Sequence, residues 1–170
     1  MPRTKHSDEP EICKGIGKMR LLRNYKIGFD IWGLVLFLII MIPNFIWFGV
    51  PAPNDILRSE SVTETLDTVA SIFQMLLVGA LCVIINVTSE KPMNKNIFRI
   101  IILFIVIYFI GWIAYYLGIA NPFVVLDLCI APCMAFILFS ITRKNAIALL
   151  SATIFMICHV LYGVINFVTV

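Results

Sequence analysis

Residues 43–67 read PNFIWFGVPAPNDILRSESVTETLD and join the end of one apolar run to the start of the next. The polar residues Asn44 and Asp67 lie near its two ends. Proline and glycine interrupt regular structure, and here Gly49, Pro51 and Pro53 mark a turn followed by an acidic loop. The segment therefore predicts a helical hairpin with the longest loop of the chain between its two helices.

The composition indicates an integral membrane protein. Hydrophobic residues make up 61% of the 170 residues and charged residues only 14%, whereas soluble domains average about half and about a quarter. The chain holds five apolar runs of 19–23 residues, each long enough at about 1.5 Å per residue to cross a ~30 Å hydrocarbon core. We therefore expect an all-α bundle of five transmembrane helices in residues 30–170, with spans at about 31–50, 69–87, 100–119, 123–141 and 146–168.

The distribution of positive charge predicts the orientation of these helices. Seven of the thirteen Lys and Arg residues precede the first run, three lie around the start of the third, and two separate the fourth from the fifth. These twelve residues would all lie on one side of the membrane, and only Arg58 falls in a loop on the opposite side. Because cytoplasmic loops are enriched in Lys and Arg, we expect a multi-pass protein of the cell membrane with a cytoplasmic N-terminus and an external C-terminus.

The N-terminal segment, residues 1–29, is basic and allows two interpretations. Ile12, Ile16 and Met19 recur at helical spacing among lysines and arginines, as in a short helix lying on anionic lipids. The alternative is a solvated tail that only sets the topology.

Two helix starts carry capping signals. Ser61 and Glu64 form a Ser-x-x-Glu capping box, and Asn121 is followed by proline, which suits the first position of a helix. Asp67 and Asp127 each stand six residues after their cap, which indicates a weak parallel repeat of the hairpins with a period of 60 residues.

The polar residues inside the runs lie at a common depth. Counted from the expected external ends, they fall in the outer half of the bilayer, where a polar side chain is a candidate functional group. We therefore predict an outer pocket, with Trp47, Trp112 and Tyr115 or Tyr116 as aromatic walls and these polar lining residues: Asn44, Gln74, Asp127 and His159. The alternative is that these groups are interhelical hydrogen bonds and an interfacial aromatic belt.

Signals for cofactors and catalysis are weak. Cys129 and Cys133 share a helix face and could bind a soft metal, but they point away from Asp127, so no metal or other cofactor is predicted. No hydrolase, zinc-protease or phosphate-binding motif is present. An acid/base pair of Asp127 and His159 is the one catalytic arrangement that the sequence permits.

The function that these features favour is binding or transport of a small polar or cationic solute in the outer pocket. Five helices are few for alternating access, which implies a homo-oligomer or a partner membrane subunit. Two alternatives stay open: an accessory subunit without its own activity, and a membrane enzyme acting on a lipid-linked substrate. The basic residues lie next to the membrane without interleaved aromatics, so nucleic-acid binding is not expected. The patterns of five-helix translocators and sugar-carrier half-units are absent, and no family is assigned.

Overall fold

Five long apolar helices dominate the described part of the chain. The computed structural model describes residues 24–59, 62–89 and 93–168. Within these residues five helices are long and apolar enough to cross a membrane. They are α1 Ile31–Gly49, α2 Glu64–Val83, α3 Lys95–Tyr116, α4 Pro122–Thr142 and α5 Ala146–Gly163, the last continuing as a π-helix over Val164–Val168.

The helices are arranged as a ring. The most extensive contacts join α2 to α5, α5 to α4, and α4 to α3. Helix α1 packs on α2 and makes only light contacts with α3 and α4, which close the ring. Helix α4 is accordingly the most buried of the five and α1 and α3 are the least. We call the end that carries residues 50–59 and 117–121 the loop end, and the opposite end the sheet end.

The predicted helix count is confirmed for the described residues, but the second span was misplaced. Helix α2 begins at Glu64 and ends at Val83, and its last predicted residues instead form strand β2, Ile84–Asn86. The N-cap residue of α2 is Thr63, and the predicted cap at Ser61 lies outside the described residues. The cap at Asn121 is confirmed, since its side chain accepts a hydrogen bond from the Val124 N–H at 2.9 Å.

The N-terminal segment is joined to the bundle through a short sheet that the sequence did not predict. Strand β1, Tyr25–Ile27, pairs antiparallel with β2, with Tyr25 opposite Asn86. The surface helix predicted around Ile12 lies outside the described residues.

Polar side chains hold the sheet end together. The buried Asn145 donates to the carbonyl oxygens of Ala80 (2.8 Å) and Ile84 (2.9 Å), which ties the end of α2 to the start of α5. Asp30 caps α1 by accepting from the Trp32 N–H, and its carboxylate pairs with Arg143 at 2.8 Å. This end of the ring is thus closed by side-chain hydrogen bonds and one ion pair that join α1, α2, the segment after α4 and the start of α5.

Helices α3 and α4 approach closely at Gly111. A Cβ atom at this position would lie 2.0 Å from Asp127 Oδ2 and 3.3 Å from a methyl group of Leu128. Gly111, Ala114 and Gly118 form a seam of small residues along one side of the third apolar run. At Gly111 this seam serves the packing of α4, as small residues do between membrane helices.

We expect Gly111→Ala to destabilise the protein, because the new methyl group must displace the Asp127 carboxylate or separate α3 from α4. Overpacking of this kind typically costs about 1–3 kcal/mol. The measurement is the thermal unfolding midpoint of the purified protein in a mild detergent.

The matched control is Gly79→Ala, since a Cβ at Gly79 meets no atom within 4 Å. In the double variant Gly111→Ala, Asp127→Ala most of the loss should be recovered, because the clashing carboxylate is gone. An equal loss at Gly79, or no recovery in the double variant, would contradict this account of the seam.

Candidate functional site

A cavity of about 330 Å³ lies inside the ring of helices. This volume falls at the lower end of the range for small-molecule sites, about 300–1,000 Å³. All five helices contribute to its wall, and Leu57 of the loop end closes one side. Its further lining residues are Phe37, Ile40, Met41, Asn44, Trp47, Phe48, Gln74, Leu77, Val78, Tyr108, Trp112, Val125, Leu128, Cys129, Pro132, Phe136, Phe155, His159, Tyr162, Gly163 and Phe167.

Three of the four polar residues predicted for the pocket line this cavity. Asn44 comes from α1, Gln74 from α2 and His159 from α5, so the ring brings together side chains that are up to 115 positions apart in the sequence. Asn44 donates to the Tyr108 hydroxyl at 2.7 Å and to the Ile40 carbonyl at 3.2 Å. The interpretation of Asn44 as a pocket residue is therefore compatible with its interpretation as an interhelical hydrogen bond, because its side chain joins α1 to α3 and also faces the cavity.

Two of the predicted aromatic walls also line the cavity. The rings of Trp47 on α1 and Trp112 on α3 lie 6.5 Å apart, centre to centre. On the opposite side the imidazole of His159 stacks on the Phe155 ring at 5.0 Å. The polar and aromatic groups thus form one continuous surface.

Asp127 and Tyr115 do not line the cavity. Asp127 faces Gly111 at the contact of α3 with α4, and the Tyr115 side chain is 0% exposed. The alternative Tyr116 is also outside the lining and donates its hydroxyl to the Val50 carbonyl at 2.7 Å. Asp127 and His159 therefore do not share the cavity as an acid/base pair.

The Asp55 carboxylate organises the loop end of the cavity. It accepts hydrogen bonds from Trp47 Nε1 at 2.9 Å, from the Tyr115 hydroxyl at 2.8 Å and from the Ala52 N–H at 3.3 Å. Arg58 pairs with it at 2.9 Å and lies over the Trp47 ring, 4.9 Å from its centre. One carboxylate thereby fixes a wall residue of the cavity, the end of α3 and the loop.

Further bonds attach the loop to α3 and to the turn after it. The Tyr115 hydroxyl accepts from the Leu57 N–H at 3.1 Å, which positions the loop residue that lines the cavity. Asn54 donates to the Gly118 carbonyl at 3.1 Å. Gly118 has φ +85°, a conformation that glycine adopts without strain. The loop is thus fixed to the end of α3, with Leu57 beside the cavity.

The electrostatics of this network favour the ionised carboxylate. Burial of the Asp55 side chain, which is 11% exposed, acts to raise its pKa. The hydrogen bonds from Trp47, Tyr115 and Ala52, together with the positive charge of Arg58, outweigh burial and hold the pKa of Asp55 below its ordinary value.

The cysteines divide between the cavity and the core. Cys129 lines the cavity beside Gly163, where an added Cβ would lie 2.8 Å from its Sγ, whereas Cys133 is fully buried away from it. All four described cysteines are free thiols. No group of three potential metal ligands occurs in residues 24–59, 62–89 and 93–168.

Sequence reasoning missed Tyr108 and Asp55. Tyr108, Trp112 and Tyr115 recur at helical spacing, and this periodicity could have placed Tyr108 on the inner face of α3. Asp55 lies in a loop without periodicity, and no local signal showed that its partners would come from α1 and α3.

Comparisons with protein-family models, curated protein sequences and solved structures found no match for this chain.

We expect the Asp55 network to make stability depend on pH. Because the folded pKa of Asp55 is depressed, its contribution is full above the unfolded pKa of about 3.9 and is lost as the pH falls through the lower folded value. The unfolding midpoint, measured between about pH 6 and about pH 3, should fall less steeply in Asp55→Asn than in the natural protein.

The variant should also be less stable at neutral pH, because the charge-assisted bonds to Arg58 and Trp47 are weakened. Glu64→Gln is the control, since it removes an exposed carboxylate in the first turn of α2. Identical pH profiles for the natural protein and Asp55→Asn would show that this carboxylate does not stabilise the loop.

Proposed function

We propose that this chain is a multi-pass protein of the cell membrane that binds a small solute in its central cavity, for uptake, export or sensing. In the proposed orientation the N-terminus and the sheet end are cytoplasmic, while the loop end and the C-terminus are external. The basic N-terminal segment then faces the anionic lipids of the cytoplasmic leaflet. Transport, as distinct from binding, would also require α1 to move or a second copy or partner subunit to complete the path.

The observation that carries the proposal is the convergence of Asn44, Gln74 and His159 on one cavity. Polar side chains are costly inside a bilayer and are usually retained where they face a bundle interior or a cavity with a function. Here they come from three different helices and meet beside two tryptophans, which is the composition of a ligand site with an apolar wall and few polar groups.

The cavity favours a binding protein over an enzyme. The lipid-linked chemistry considered from the sequence required Asp127 next to His159, and Asp127 instead packs against Gly111. Without that carboxylate, His159 has no acidic partner among the described cavity residues.

We expect Gln74→Cys to be labelled by a membrane-impermeant methanethiosulfonate applied to the outside of intact cells, because Gln74 lines the cavity and is partly exposed. The modification is read as a mass shift of the purified protein. The background replaces the five native cysteines by alanine: Cys13, Cys82, Cys129, Cys133 and Cys158.

The control retains only Cys133, which is 0% exposed and outside the cavity lining, and it should stay unlabelled. Labelling of Gln74→Cys only after the cells are broken would contradict external access. Protection of Gln74→Cys under both conditions would contradict an accessible cavity altogether.

The orientation is tested separately by reporters fused after Val170. Because twelve of the thirteen Lys and Arg residues lie on one side of the five spans, we expect a periplasm-type reporter to be active and a cytoplasm-type reporter to be inactive. Activity of the cytoplasmic reporter would rule out an external C-terminus. A reporter fused before the first span serves as the opposite control.

A further inference from the structure

The two polar side chains on the α2–α5 side of the cavity are available to a ligand. Neither the Gln74 side chain nor the His159 side chain makes a hydrogen bond to another described residue. The Asn44 side chain, in contrast, is bonded to Tyr108 and to its own helix. An amide offers donors and an acceptor, and a neutral imidazole offers one of each. Polar groups that face a cavity without a protein partner are free to bond a ligand. A bound molecule that satisfies both groups is therefore favoured.

The rest of the cavity surface suits an apolar body. Trp47, Trp112, Phe136 and Phe155 present rings from four different helices, and aliphatic side chains fill the spaces between them. Aromatic side chains bury large apolar areas and bind flat or cyclic groups through stacked and edge contacts.

On the α1–α3 side, Asn44 is bonded to Tyr108, and Trp112 Nε1 is buried without a partner among the described residues. Gln74 and His159 lie on the α2–α5 wall, so the matching ligand places a hydroxyl or amide head there.

The charge of the ligand follows from the lining. No Asp, Glu, Lys or Arg is among the described residues that line the cavity. Holding a charge in a cavity without an oppositely charged partner is strongly unfavourable. Cation–π attraction to these rings would offset only part of that cost. An uncharged ligand therefore fits this surface better than the cationic solute that the sequence left open.

We propose that the cavity binds an uncharged molecule with a cyclic apolar body and one hydroxyl or amide head, and that Gln74 and His159 hydrogen-bond this head. The proposal rests on the proposed function, since it names the ligand class of the same cavity. Asn44 does not bind the ligand head in this proposal, because its amide already joins α1 to α3 through Tyr108.

Three probes of the same shape test the proposal. They are 2-naphthol, 2-methylnaphthalene, which replaces the hydroxyl by a methyl group, and protonated 2-naphthylmethylamine, which carries a positive charge. Binding of each to the full-length protein in detergent is measured by the concentration dependence of the unfolding midpoint. We expect 2-naphthol to bind about tenfold more tightly than 2-methylnaphthalene, the change that one net hydrogen bond supplies. The cation should bind most weakly.

The variants Gln74→Leu and His159→Phe remove the polar groups while keeping the side-chain volume. In each variant, the ratio of the Kd of 2-methylnaphthalene to the Kd of 2-naphthol should fall towards one, while the affinity for 2-methylnaphthalene is kept. Thr153→Val is the matched control on α5, because Thr153 is outside the cavity lining and its hydroxyl bonds the Leu149 carbonyl. Since the comparison of the three probes uses the natural protein, it holds even where a variant does not fold.

Each outcome bears on one of the two proposals. Equal binding of 2-naphthol and 2-methylnaphthalene, or an unchanged preference in both variants, would overturn the role of Gln74 and His159 while leaving the binding cavity intact. Tightest binding of the cation would overturn the uncharged ligand class alone. If none of the probes stabilises the protein but Gln74→Cys is labelled from outside, the ligand class is overturned and the accessible cavity stands. If labelling also fails, the binding function itself is wrong.

Discussion

The attachment of α1 to α3 is the interaction on which the form of this protein depends. Helices inside a bilayer gain little from apolar burial, because lipid tails are as apolar as leucine, so packing and hydrogen bonds must hold them. Helix α1 packs lightly on α3, and the hydrogen bond from Asn44 to the Tyr108 hydroxyl crosses the gap at 2.7 Å. At the loop end, Asp55 binds both Trp47 and Tyr115 and so ties the same two helices. These polar contacts close the ring that contains the cavity.

The cavity lies where α1 faces α3 and α4. Helix α1 makes only light contacts with these two helices, while α2, α5, α4 and α3 pack against one another in that order. Glycines permit close approach elsewhere, because Gly111 lets α4 approach α3 and Gly33 lets α1 approach α2, where an added Cβ would lie 2.6 Å from the Leu81 carbonyl oxygen. A space of about 330 Å³ remains inside the ring, with Asn44 and Trp47 on its α1 side.

The sequence predicted the five helices because length and hydropathy determine which segments can cross a bilayer. It misplaced the end of α2, since Ile84, Ile85 and Val87 continue the apolar run and only the pairing of residues 84–86 with β1 distinguishes a strand from a helix. Counting residues from the helix ends placed Asn44, Gln74, Asp127 and His159 at one depth. Depth does not determine which neighbour a side chain faces. Helical spacing did separate Asp127 from Cys129 on α4, and the structure places Cys129 at the cavity and Asp127 at Gly111.

Two ion pairs lie at the two ends of the ring. The pair of Asp55 with Arg58 belongs to the loop end, and the pair of Asp30 with Arg143 belongs to the sheet end, where it joins the start of α1 to the segment after α4. Between them the described cavity lining is uncharged. At the sheet end Asp30, the cap of α1, pairs with Arg143, and at the loop end Trp47 of α1 donates to the Asp55 carboxylate. Helix α1 therefore has one attachment to a charged group at each end, and its hydrogen bond from Asn44 to Tyr108 lies between them.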